Sequence, residues 1–396
     1  MKSSEDNGLL SGIRVVDVTT NLAGPYATRF LAMLGAEVIR IEHGKRLDVL
    51  RRRSESDFNA TNLGKMSVTL DLKSAKGLEL AKKLIKISDV VVESFRPGVM
   101  TELGLGYEAV REVKPEVLMV SLSGFGATGP ERNFASWASI FAAMSGVSYI
   151  TGYEDSIATE FRGSFDTRVG QMVALAVMTG LVHNRRTGLG QHIDVSAIES
   201  QICSIGDVVM DYTMNGRICE RAGNRHSYMA PHNAYRCVGE DCWVSIAVGK
   251  DTEWKALCEA IGKPELTKDE RFKDLLSRWE NQEALDEIIT TWTSERTDYE
   301  VMEILQKVGV AAMPVLSAPE IFSDPHLLER RFVQEVEHPK IGKRFVFGTP
   351  WRIEGETPHD AKRGPLLGEH NDYVFCDLLG FSKEEVSRLM EEKVIS

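Results

Sequence analysis

Five short runs of aliphatic, β-branched residues recur in the first 130 positions: "IRVVDV" (Ile13 to Val18), Val38 to Ile41, "SVTLDL", "DVVVES" and "EVLMVSLSGFG". Each is continuous rather than alternating, so each reads as a strand covered on both faces. Helical stretches separate them. "AGPYATRFLAMLG" predicts an amphipathic helix ending near Gly35, with Pro25 in its first turn, where a missing N–H costs nothing. A second helix is expected from Ala75 to Ile87. Strands alternating with helices force parallel pairing with right-handed crossovers, so the expected fold class is α/β, with a doubly wound, Rossmann-like large domain.

Past position 160 the texture changes. A long apolar helix is expected from Gly170 to His183, ended by the glycines of "RRTGLGQ", with "HIDVSA" starting a further strand. "NAYRCVGEDCWVSIAV" reads as a hairpin around a Gly-Glu-Asp turn, followed by charged amphipathic helices from Asp251 to Val308. The pattern gives a large domain over 1–220, a smaller α+β domain over 221–350, and loop and helix over 351–396. A chain of 396 residues is long enough for this division.

Composition narrows the function classes. The net charge of −11 argues against a nucleic-acid surface. The longest apolar stretch, Met172 to Val182, is far shorter than the roughly 20 residues that span a bilayer. "MKSSEDNGLL" lacks the basic start and apolar core of a signal peptide, so a cytoplasmic location with reduced thiols is expected. The six cysteines form no C-x-x-C pair, and no H-E-x-x-H or G-x-S-x-G is present, so no metal site or serine triad is expected. The turn "TTNLAGPYA" has one glycine, and without G-x-G-x-x-G a nicotinamide dinucleotide is disfavoured.

Chemistry-bearing residues gather where strands end. "HGKRLDVLRRR" (His43 to Arg53) concentrates cations after the second strand, and Arg96 follows the fourth. Arginine forks suit anionic oxygens, and open α/β sheets bind ligands at their carboxyl edge. "SGFGATGP" (Ser123 to Pro130) follows the fifth strand and either approaches a ligand or simply turns. Asp166, in "RGSFDTRVGQ", stands before the long helix. It reads as an N-cap, and the helix dipole is expected to hold its carboxylate ionised.

Seven segments taken in order resemble the class III coenzyme A transferases: "GIRVVDVTTNLAGPYATRFLAMLGAEVIRIE", "NLGKMSVTLDLKSAKG", "SDVVVESFRPGVMTELGLGY", "VSLSGFGATGP", "FDTRVGQ", "RRTGLGQHIDVS" and "PLLGEHND". The family includes formyl-CoA transferase and crotonobetainyl-CoA:carnitine CoA-transferase. The resemblance implies a Rossmann-like large domain to which residues 351–396 return, and an interlocked dimer, as a homodimer or a heterodimer with a related subunit. It implies coenzyme A, arriving as acyl-CoA, as co-substrate with no metal, and contacts to it at Asn21, Leu22, Ala23, His43, Leu70, Lys73, Ser94, Phe95 and Arg96. Asp166 falls on the family's catalytic aspartate, which attacks the thioester to form an aspartyl anhydride and then an enzyme–CoA thioester.

Departures from the family pattern shape the expected substrate. The related α-methylacyl-CoA racemases carry a histidine–aspartate pair upstream, where this chain has Trp137 and Ala138, neither of which can carry a proton. Glu102 stands where several members have an arginine near the CoA phosphates. The glycine-run loop of formyl-CoA transferase is replaced by "AGNRHSYMAPHNAY", which disfavours oxalate and formate. An aromatic or dicarboxylic acceptor such as benzylsuccinate is expected, with succinyl-CoA as donor and Tyr149, Tyr153, His226, Tyr228 and His232 as candidate pocket residues. The alternatives are a racemase and a non-catalytic CoA-binding subunit of a hetero-oligomer.

Overall fold

The computed structural model describes residues 8–160, 164–354 and 360–396, with no account of the Ser164 side chain. Six strands form one sheet: β1 (Arg14–Val18), β2 (Glu37–Glu42), β3 (Met66–Thr69), β4 (Val90–Glu93), β5 (Leu118–Ser123) and β6 (Gln191–Ser196). Their order is β3-β2-β1-β4-β5-β6, and every pairing is parallel. This is the doubly wound order, in which the chain reverses its direction of winding between β1 and β4.

Side chains of each strand alternate between two cores, which is why the runs are continuously apolar. Val15, Val38, Val92 and Val120 face a layer built by the helices Ala23–Met33 and Ser164–Thr187, through Phe30, Val169, Val173 and Val177. Val16, Ile39, Val68, Val91 and Met119 face the opposite layer. There the helix Ala75–Lys86 contributes Leu80, Ala81, Leu84 and Ile85, and the C-terminal residues Phe375, Val386 and Ile395 complete it. Ser74 caps that helix, its hydroxyl accepting from the Gly77 N–H at 3.0 Å.

The chain divides into two compact units. One combines Met1–Ser148, Glu160–Ile218 and Asp324–Ser396; the other combines Tyr149–Thr159 and Cys219–Ser323. The second unit holds an antiparallel sheet of β7 (His232–Arg236), β8 (Trp243–Ala247) and β9 (Ala311–Pro314), covered by helices that supply Trp254, Leu257, Leu285, Ile289 and Leu305. The expected hairpin is β7–β8, in register His232 to Ala247.

The return to the first unit comes at Asp324, earlier than the boundary expected at 351. The intervening hairpin of β10 (Val333–His338) and β11 (Gly342–Phe347) belongs there because Val336 and Val346 pack on Leu63. A two-stranded hairpin cannot bury its own apolar face, so it goes where that face is covered. The long helix, expected from Gly170, already begins at Ser164 and runs to Thr187; Gly188, at φ 72°, follows its end.

Candidate active site

The winding reversal opens a crevice at the carboxyl ends of β1 and β4. The two loops there are tied together, the Thr20 N–H donating to Ser94 Oγ at 2.9 Å. Asn21 adopts a left-handed conformation, φ 63°, and its N–H donates to the Asp48 carboxylate at 3.0 Å. Gly24 is required at the first turn of the following helix. A Cβ there would lie 2.6 Å from Thr19 Cβ and 3.1 Å from Ser94 Oγ.

Behind this loop lies a buried ionic cluster. The Asp17 carboxylate, fully inaccessible, accepts from Lys65 Nζ at 2.9 Å and Thr28 Oγ1 at 2.7 Å, and lies 3.5 Å from Arg40. Burial alone would raise the Asp17 pKa, but two cations and the Thr19 hydroxyl hold it at about 2. Lys65 shares that single carboxylate with Arg40, and for Lys65 burial wins, pulling it down to about 8. Arg40 also reaches Asp48 at 3.0 Å, so the network extends from the β1 core to the Asn21 backbone. The loop geometry is thereby set from inside the sheet.

A cavity of about 600 Å³ occupies the crevice. Its lining includes Asn21, Leu22, Ala23, Ser94, Phe95 and Arg96, six of the expected CoA contacts, together with Asp166. Ser123 and Gly124 from the glycine-rich loop line it too, as do Trp137 and Ala138. Lining groups that escaped the sequence reading as individual site residues include Arg53, Arg132, Glu160 and Ala197. Their convergence depends on loops that no local pattern encodes.

Asp166 is the third residue of the long helix, within its first turn. The helix end favours the ionised carboxylate, but the surroundings push the other way. Burial, and then the nearby Glu160 carboxylate, raise its pKa above the ordinary aspartate value. A dipole contribution of a few tenths to 1 kcal/mol is too small to offset desolvation plus a like charge. A carboxylate raised in this way is a better base and nucleophile once ionised.

Two contacts place Asp166. Gly170, one turn on, lets the long helix cross the first helix at backbone distance, since a Cβ there would lie 2.7 Å from the Ala23 carbonyl oxygen. Gln201, fully buried, donates from Nε2 to the Phe165 carbonyl at 2.8 Å, while its Oε1 has no hydrogen-bond partner. A buried amide with one unpaired end is a cost that persists where position matters.

Three expected contacts fall outside the cavity lining. His43 follows β2, Leu70 follows β3, and Lys73 lies just beyond, all on the same carboxyl edge of the sheet. Leu70 is buried, with its N–H bonded to the Glu42 carbonyl at 2.9 Å. His43 Nδ1 accepts from the Lys45 and Arg46 N–H groups. The arginine run also divides: Arg51 is buried between Glu42 at 2.8 Å and the Phe58 ring at 3.5 Å, so it is structural. Arg53 reaches the cavity, 3.1 Å from Asp57.

The five candidate acyl-pocket residues belong to the second unit, where three of them meet directly. The His226 ring lies 4.3 Å from Tyr228 and 5.0 Å from His232, and Asn224 Nδ2 donates to the Tyr153 hydroxyl at 3.3 Å. Arg221 Nη1 donates to the Tyr149 carbonyl at 3.0 Å. The cavity around Asp166 is lined by the first unit alone. All six cysteines are free. Among the described residues, no group of three or more His, Cys, Asp or Glu side chains is placed to hold a metal ion. Nor is any helix among them long and apolar enough to cross a membrane.

This arrangement has counterparts. The chain is 33% identical, over the full length of both proteins, to a succinyl-CoA–D-citramalate CoA-transferase of Chloroflexus aurantiacus. It is 31% identical to a mouse (Mus musculus) succinyl-CoA:glutarate CoA-transferase, over 98% of this chain and 90% of that protein. Among solved structures, a CAIB/BAIF family protein from Brucella suis superposes with a TM-score of 0.86 at 29% identity, covering 94% of this chain and all of the other. The model of the family described as CoA-transferase family III matches residues 10–371. The chain is an enzyme belonging to CoA-transferase family III.

Proposed function

We propose that this enzyme moves CoA from succinyl-CoA to a dicarboxylic acid, with Asp166 as the covalent nucleophile. The observation that carries the reading is the shared cavity: Asp166 and the strand-end residues Asn21 to Ala23 and Ser94 to Arg96 line one space at the winding reversal. CoA would lie along that carboxyl edge, held also by His43, Leu70 and Lys73. The relatives support the substrate class, since those acting with succinyl-CoA take D-citramalate, glutarate, L-malate or mesaconate. Benzylsuccinate is a dicarboxylate of the same kind. Trp137 and Ala138 on the cavity wall supply no proton carrier, which favours transfer over racemisation.

The steps balance without a metal. An Asp166 oxygen attacks the thioester carbonyl of the donor, the C–S bond breaks, and CoA leaves as thiolate. The thiolate attacks the aspartyl carbonyl of the anhydride, releasing the donor acid as carboxylate and leaving CoA on Asp166. The acceptor carboxylate then attacks that thioester, expelling CoA thiolate and forming a second anhydride. Attack of the thiolate on the acceptor carbonyl releases the new acyl-CoA and restores Asp166. The subunits are proposed to pair as an interlocked dimer, or with a related subunit, as in the alpha and beta subunits of the succinyl-CoA–L-malate relative.

The test is exchange by wild type and by Asp166→Ala and Asp166→Asn, with succinyl-CoA against a panel of free acids that includes glutarate, citramalate and benzylsuccinate. Thioester products and an Asp166-bound CoA adduct are read by mass spectrometry. Loss of exchange and adduct in both variants, with the fold retained, is expected. Near-normal exchange in Asp166→Ala would remove Asp166 from the mechanism. Solvent deuterium entering the α-carbon of a 2-methylacyl-CoA would favour the racemase.

A further inference from the structure

The cavity that receives acyl-CoA is acidic where the acyl group must go. Asp166 and Glu160 both line it, on a chain of net charge −11, yet the proposed donor and acceptor each bring a carboxylate of their own. A second carboxylate placed there needs a cation, because unscreened like charges in a partly desolvated cleft are costly. Three arginines line the cavity: Arg53, Arg96 and Arg132. Arg53 is neutralised by Asp57 at 3.1 Å. Arg96 stands directly after β4, beside the Ser94 that ties the β1 and β4 loops. Among the described residues, neither Arg96 nor Arg132 has an ion-pair partner, and Arg96 is proposed above as a CoA contact.

Arg132 sits on a segment pinned beside Asp166 at three points. Gly124 at the end of β5 admits Ser136 so closely that a Cβ would fall 2.7 Å from Ser136 Cβ. Phe134 meets the Phe125 ring edge-on at 5.8 Å. Ala138 packs on the cluster of Ala142, Val147 and Phe165, and Phe165 is the residue before Asp166. The segment therefore lines the same cavity as Asp166.

We propose that Arg132 is the specificity-determining residue for the free, distal carboxylate of the acyl group, in donor and acceptor alike. Its guanidinium forks onto that carboxylate while Asp166 reacts at the other end of the same acid. The proposal rests on the transferase reading above and narrows its substrate class to acids bearing a second carboxylate within reach.

The donor half-reaction tests it, because formation of the Asp166–CoA adduct needs no acceptor. Single-turnover adduct formation is measured with succinyl-CoA and with butyryl-CoA, which has the same chain length and lacks the carboxylate. Wild type should favour succinyl-CoA. Arg132→Gln should cut that preference by about 10-fold, the lower end for a charge-assisted bond, because Arg132 is exposed. Arg132→Lys, keeping charge without the fork, should fall between. Thermal melts of each variant exclude misfolding, which would lower both substrates together along with the melting temperature. A correctly folded Arg132→Gln that loses succinyl-CoA and butyryl-CoA equally would make Arg132 a contact to CoA itself and overturn the proposal. So would an unchanged preference, or a wild type without preference. Absence of any adduct in wild type with either thioester would instead strike the Asp166 mechanism.

Discussion

Gly170 lies against the backbone of Ala23, so near that a Cβ would stand 2.7 Å from the Ala23 carbonyl oxygen and 3.3 Å from the Ala27 nitrogen. The helix carrying Asp166 and the helix opening the β1 loop are thereby locked at one crossing point. Gly170→Ala must push them apart by several tenths of an ångström, since backbone cannot rotate away as a side chain can. We expect a loss of about 1–3 kcal/mol in stability. A drop in kcat larger than the rise in KM should accompany it. Denaturant titration and steady-state kinetics check both, and an unaltered kcat would show that the crossing does not set the reacting geometry.

Glu160 shares the cavity and raises the Asp166 pKa after burial has already done so. The acidic limb of the rate profile should report Asp166, because only its ionised form is a nucleophile. Removing the like charge in Glu160→Gln must lower the Asp166 pKa. The acidic limb should then move to lower pH while the neutral plateau stays closer to wild type. A pH–rate profile for adduct formation decides it, and a limb moving upward would contradict the electrostatics.

Asp166 also costs the fold something. A carboxyl whose folded pKa exceeds its unfolded value binds protons more readily when folded, so its ionised form destabilises the native state. The penalty is fully present above the raised folded pKa and fades as pH falls toward the ordinary 3.8. Asp166→Asn should therefore melt higher than wild type at pH 7, and the gain should vanish near pH 4, even as exchange is lost. Equal melting temperatures at pH 7 would count against the raised pKa.

The Asp17 cluster has the opposite sign. Its folded pKa, about 2, lies below the ordinary 3.8, so its contribution is present above 3.8 and is lost as pH falls from there toward 2. Asp17→Asn leaves Lys65 and Arg40 buried with their shared carboxylate gone, which should cost about 3–5 kcal/mol at neutral pH. The variant's stability should also fall less steeply in acid than that of wild type. Because Arg40 reaches Asp48, and Asp48 holds the Asn21 N–H, weaker CoA binding is expected as well.

Much of the scaffold was legible in local patterns. Burial on both faces demands continuous β-branched runs, and those runs marked the strands of the large sheet to within three residues. The helix expected from Ala75 to Ile87 is observed at Ala75–Lys86. The β7–β8 hairpin followed from its turn chemistry. The ordered segments also pointed to Asp166 and to the strand-end residues, six of which line one cavity with it.

Tertiary structure decided what depends on distant partners. The identical-looking arginines of "HGKRLDVLRRR" separate into a buried strut at Arg51 and a cavity residue at Arg53, since Glu42 and Phe58 meet only one of them. The pKa shift of Asp166 runs against the local expectation. A helix end is visible in sequence, whereas desolvation and Glu160 act through space. The β10–β11 hairpin joined the large unit because Leu63, far away in the chain, covers its apolar face. Propensity and periodicity act over a few residues and can be read along the chain. Burial, ion pairing and the shape of a cavity are set by residues that meet only once the chain has folded.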